Sequence, residues 1–140
     1  MKLLQLAFVL FALAISAIAQ DLPKAKLRFA GTEERVKGGV SVKGYEIEVV
    51  NRDEFDNELF VSSPALPPCG RNANASRTWV NIYDEKGARL YGYCAMKSNA
   101  DLASLKFFVE AAKPQPKKIF IDLVDRFEGR ITRSNSVSVE

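Results

Sequence analysis

Thr78-Trp79-Val80-Asn81-Ile82-Tyr83-Asp84 and Arg89-Leu90-Tyr91-Gly92-Tyr93-Cys94-Ala95-Met96, joined by Glu85-Lys86-Gly87-Ala88, alternate apolar with polar or aromatic residues on either side of a turn. A period of two marks a strand with one buried face. Asp84-Glu85-Lys86-Gly87 suits a type I turn with Gly87 in the left-handed position of a three-residue loop. The resulting hairpin pairs Asp84 with Ala88, Ile82 with Leu90 and Val80 with Gly92. One face then carries Val80, Ile82, Leu90 and Cys94. The other carries Trp79, Asn81, Tyr83, Tyr91 and Tyr93, with Trp79 opposite Tyr93. A two-residue turn would shift the register and move Tyr91 and Tyr93 to the aliphatic face.

The same period runs outward from this hairpin. Leu27 and Phe29 mark a first strand, and Tyr45, Ile47 and Val49 alternate with Glu46 and Glu48 in a second. Val40 and Val42 have the opposite parity, which predicts a bulge at Gly44. Leu59 to Val61 reads as a short strand. Leu105, Phe107 and Val109 give another, as do Ile119, Ile121 and Leu123, and Ile131 to Val139 gives the last. Ser98 is placed to cap one helical turn over 98–103. No segment supports a long helix, so the expected fold is all-β: a two-sheet antiparallel sandwich of seven or eight strands.

The chain begins with a different kind of segment. Lys2, the apolar run from Leu3 to Ile15 and the small residues of Ala17-Ile18-Ala19 make up a secretory signal peptide. The expected division is a signal peptide over 1–19, a short linker over 20–25 and the sandwich over 26–140. No cysteine lies near the cut to accept a lipid, so a secreted or periplasmic product without a stable membrane anchor is expected. About 120 residues suffice for one domain with its own core.

Setting Lys2 aside leaves nineteen Lys and Arg against seventeen Asp and Glu, interspersed along the chain. Nucleic acid binding needs a concentrated basic surface, so it is not the expected role. Two cysteines in an exported chain predict one disulfide, Cys69 to Cys94.

Trp79 in a central strand, the closing strands around Asp125-Arg126-Phe127-Glu128-Gly129 and the run Ser134-Asn135-Ser136-Val137-Ser138-Val139 resemble an immunoglobulin-like or fibronectin type III-like domain. The resemblance covers most of the chain after residue 19 and implies a sandwich. Cys69 falls in a loop, so the bridge departs from the inter-sheet bridge of antibody-type domains. A second, local resemblance rests on Leu66-Pro67-Pro68-Cys69-Gly70, Asn74-Ala75-Ser76-Arg77-Thr78-Trp79-Val80 and Leu90-Tyr91-Gly92-Tyr93-Cys94. These stretches are similar to a family of small secreted bacterial proteins of unknown function. That likeness implies the disulfide and export, and no activity.

Two regions are candidates for recognition. Trp79, Tyr83, Tyr91 and Tyr93 form an aromatic face that either stacks on sugars or peptides or packs as core. The loop over 63–76, tied at Cys69, offers Arg71, Asn72 and Asn74, or simply crosses between sheets. Asn74-Ala75-Ser76 is also a glycosylation sequon for a host that uses one.

The chain contains no histidine, which removes Ser-His and Cys-His nucleophiles and histidine zinc sites. Phosphate-binding and nucleophile-elbow glycine motifs are also missing. Asn51, Asp53, Glu54, Asp56, Asn57 and Glu58 supply oxygen ligands, but without the glycine spacing of a calcium loop. A solvated turn is the expectation there, with no metal or other cofactor. The expected function is a non-enzymatic binding module for a protein or glycan. The alternatives are a structural domain assembling through sheet edges, or a small carboxylate-dependent hydrolase.

Overall fold

The structure is a computed structural model and describes residues 22–71 and 74–140. The expected signal peptide over 1–19 and the candidate residue Asn72 lie outside the described residues. The described chain is an all-β antiparallel sandwich. One sheet orders β1 (Leu27–Lys37), β2 (Val40–Val49) and β7 (Leu105–Glu110) as β1-β2-β7. The other orders β10 (Val137–Ser138), β8 (Lys118–Asp125), β5 (Thr78–Asp84) and β6 (Arg89–Tyr93) as β10-β8-β5-β6, with β9 (Ile131–Arg133) also on β8. A two-stranded pair, β3 (Ser62–Ser63) and β4 (Ala75–Ser76), lies at the base of the long loop.

The alternation places the core between the sheets. Tyr45, Ile47 and Val49 of β2 and Leu105 and Phe107 of β7 meet Val80 and Ile82 of β5 and Ile119, Ile121 and Leu123 of β8. Each is buried, and each contributes roughly 1.5–3 kcal/mol of apolar transfer. Leu22 and Ala25, in the expected linker, are buried as well, so this stretch packs onto the sandwich.

Four local expectations need correction. Gly44 is not a bulge: β2 pairs without interruption with β7, and the register shift lies in β1 between Phe29 and Gly31. Val42 therefore faces outward with Gly44, where a Cβ would come within 2.8 Å of the Phe108 ring. Leu59 lies in a 3-10 turn over Asn57–Phe60, because the Asp56 side chain accepts from the Glu58 N–H and starts a turn instead of a strand. The last strand is split into β9 and β10. The Ser134 hydroxyl accepts from the Ile121 N–H, and Asn135 leaves β8 to serve β1. The hairpin register is also displaced by one residue, as described below. Ser98 does cap its helical turn, with Asp101 completing a capping box.

The two sheets are joined at both edges by side chains. The Tyr93 hydroxyl bonds both backbone groups of Lys106 on β7. At the opposite edge the Asn135 Oδ1 accepts from the Leu27 N–H at 2.8 Å, and its Nδ2 donates to the Leu27 carbonyl at 3.4 Å. In each case one side chain takes the place of a missing strand residue.

Candidate functional site

The turn forms as its residues require. Asp84 N–H donates to the Ala88 carbonyl, and Gly87 adopts a φ of 81°. The Asp84 carboxylate accepts from the N–H groups of Lys86 and Ala88. Beyond this point Leu90 is inserted as an extra residue, since Tyr83 pairs with Arg89 while Ile82 pairs with Tyr91. Val80 then stands opposite Tyr93 and Asn81 opposite Gly92. Tyr91 and Tyr93 therefore turn to the side of Val80 and Ile82, and the expected four-aromatic face does not form. The bulge brings the Tyr93 hydroxyl within reach of β7. Tyr91 packs edge-on against Tyr93, ring centres 5.1 Å apart, at the rim. Burial, with the neighbouring Tyr91 and Glu46 charges, pushes the Tyr93 phenol pKa up.

Trp79 and Tyr83 remain together on the outward face of β5. Across the ladder Trp79 faces Val124, Asn81 faces Asp122 and Tyr83 faces Phe120. Tyr83 and Phe120 stack with centroids 5.3 Å apart. The Arg126 guanidinium lies 4.2 Å from the Trp79 ring centre, and Arg133 lies 4.4 Å from that of Phe120. Such contacts fix a planar cation on an aromatic plane. Arg133 also makes a two-point bond to Asp122, at 2.8 and 2.9 Å. The middle row is completed by Arg89, whose Nε donates to Asn81 Oδ1 at 3.0 Å. Gly92 permits this: a Cβ there would sit 2.0 Å from an Arg89 nitrogen. Ile131, beside Val124, extends the apolar row and is exposed. Sequence reading missed Phe120, Arg89, Arg126 and Arg133. The alternation of Phe120 and Asp122 with the core residues of β8 was the available signal.

The looped candidates are dispersed. Cys69 and Cys94 form the expected disulfide, which ties the loop to the end of β6. Arg71 is exposed next to Gly70, and Asn74 is exposed just before β4. Ser76, the third sequon residue, is buried and donates to the Thr78 carbonyl. The acidic stretch uses its oxygens on the fold. Asn51 accepts from Lys26 N–H, Asp56 caps a turn and Asn57 accepts from Asn99 N–H. Among the described residues no group of three or more Cys, Asp or Glu is placed to hold a metal.

The most buried charge lies at the end of the sandwich. Asp125 is fully buried, which opposes ionisation. Bonds from Arg77, Arg130 and the N–H groups of Phe127 and Glu128 overcome that cost and hold the carboxyl well below the usual carboxylate range. No family model, curated protein or solved structure matches this chain. Among the described residues no helix is long and apolar enough to cross a membrane.

Proposed function

We propose that the chain is an exported, non-enzymatic binding module that recognises a protein or glycan through the outward face of β5 and β8. The observation that carries this reading is the composition of that face. Outward faces of antiparallel sheets are commonly polar, whereas this one sets Trp79, Tyr83 and Phe120 among arginines. Trp, Tyr and Arg are the residues that most often dominate binding energy. Both buried carboxylates among the described residues, Asp122 and Asp125, are paired with arginines. A general acid needs a raised pKa, and Asp125 is shifted the other way.

Immunoglobulin-like or fibronectin type III-like kinship is part of the proposal. It is supported by strand order, with β1, β2 and β7 in the places of A, B and E, and β5, β8 and β9/β10 in those of C, F and G. Two features depart from antibody domains. Trp79 points outward, and the disulfide joins a loop to β6. The disulfide and the signal-like first nineteen residues support export, periplasmic or secreted.

The test is surface plasmon resonance of the chain from Gln20 onward against a glycan array and a panel of exported proteins. Trp79→Ala is expected to lose at least tenfold in affinity for whatever the parent binds. Tyr91→Ala, away from the face, is expected to bind as the parent does. Equal binding by parent and Trp79→Ala would remove this face from consideration. A second reading, assembly through a sheet edge, is favoured by β1, an eleven-residue strand that among the described residues pairs with β2 and carries Val36 at 75% exposure. Light scattering across a concentration series tests it, and a strictly monomeric protein would rule it out.

A further inference from the structure

Seven of the arginines among the described residues fall into two groups. Arg28, Arg35, Arg77, Arg130 and Arg133 are each ion-paired with a carboxylate. Arg126 and Arg89 are held in place by neutral groups instead, the Trp79 ring for one and the Asn81 amide over Gly92 for the other. Trp79 and Asn81 are two residues apart on β5, so the two guanidinium groups occupy adjacent rows, which repeat every ~7 Å along a strand. Fixing a flexible arginine without a counter-charge costs side-chain entropy and gains little Coulomb energy. It does prepare two forked donors for an incoming anion.

The neighbouring groups narrow the anion's source. A sugar stacks on an open ring, but Arg126 covers Trp79 and Arg133 covers Phe120. What lies open beside the arginines is apolar: Ile131 at 64% exposure, next to Val124 in the Trp79 row. The Trp79 Nε1–H is shielded and has no acceptor among the described residues, a further unmet donor in that row. Asp122 is the acidic group on these rows, and Arg133 neutralises it. Apolar surface flanked by unpaired arginines complements a protein surface in which acidic side chains surround an apolar one.

We propose that the outward face of β5 and β8 docks an acidic protein surface, with Arg126 and Arg89 each receiving a carboxylate and Ile131, Val124 and the Trp79 edge receiving an apolar side chain. This rests on the binding reading above and names the partner's chemistry. The probe is a short fluorescein-labelled peptide of glutamates around a central leucine, followed by anisotropy at low and physiological salt. Its glutamine counterpart and heparin serve as comparisons. The glutamate peptide is expected to bind and to weaken with salt. Arg126→Ala and Arg89→Ala are each expected to weaken it about three- to tenfold, the scale of a partly exposed charge contact. Lys113→Ala, whose ammonium pairs with Glu110, is expected to change nothing. Melting curves establish that the variants fold.

Equal binding of the glutamine peptide, unchanged binding by both arginine variants, or no binding of the glutamate peptide would each overturn the inference. Heparin binding at these arginines without peptide binding would also overturn it, and the face would then be a glycan site with the broader reading intact. If the parent binds nothing on the array or the protein panel as well, both fall.

Discussion

The Tyr93 hydroxyl donates to the Lys106 carbonyl at 2.5 Å and accepts from the Lys106 N–H at 2.7 Å. One phenol thus completes the free edge of β7 and ties the two sheets together. Tyr93→Phe removes both bonds and leaves the ring. It is expected to cost about 1–2 kcal/mol, because Lys106 is exposed and water partly replaces the hydroxyl. Urea denaturation measures this directly, and an unchanged midpoint would show that the seam is idle.

The same residue predicts a loss of stability in alkali. Its folded pKa lies above the unfolded value of about 10. The unfolded chain therefore releases the proton first. Stability is whole below about pH 10 and declines as pH rises from there through the folded value. Tyr93→Phe should flatten that part of the pH profile, and a parent-like slope in the variant would assign the loss elsewhere.

Asp125 predicts the acid limb with the opposite sign. Its folded pKa lies below the unfolded value of roughly 3.9, so its contribution is whole above that pH and disappears as pH falls through the folded value. Asp125→Asn removes the buried carboxylate that Arg77 and Arg130 share, leaving them the half-exposed Glu128, and should cost about 3 kcal/mol at neutral pH. Thermal melts at pH 7 and pH 3 check this. The gap between parent and variant should narrow in acid.

Replacing Cys69 and Cys94 together by serine opens a link between residues 25 apart. The expected cost is roughly 3–3.5 kcal/mol by the chain-entropy model. The sheets themselves should persist, so far-ultraviolet circular dichroism should change little while the melting point falls. A variant that melts with the parent would count against the staple.

Gly92→Ala separates the binding face from the fold. The added methyl meets the far end of a flexible arginine and, at 3.0 Å, the Asn81 side-chain oxygen, not backbone. Stability should stay within about 1 kcal/mol of the parent. Arg89 must leave Asn81, so peptide binding should weaken about as much as in Arg89→Ala. A crystal structure still showing the Arg89–Asn81 bond would refute this account of Gly92.

The fold was largely legible because its determinants are local and periodic. The alternation around Tyr45, Ile47 and Val49 and around Ile119, Ile121 and Leu123 has one physical solution, a half-buried strand. The turn at Asp84-Gly87 was legible for the same reason. The site was less so. One inserted residue, Leu90, reverses the direction of Tyr91 and Tyr93, and nothing in the local pattern announces it. Arg126 and Arg133 are distant from Trp79 in sequence and reach their rings only through the β8 pairing. Asn135 looked like a strand residue, but its partner is Leu27, 108 positions away. Contacts of that span belong to the tertiary arrangement.

That last contact sets an order of events. The edge of the first strand is finished by a side chain 108 positions downstream, and the Thr132 hydroxyl reaches back to the Leu22 carbonyl. During synthesis the opening strand has no seal until Asn135 has emerged. The sandwich is a clasp whose catch lies beyond β9, and a chain cut short after Arg133 would lack the Asn135 catch.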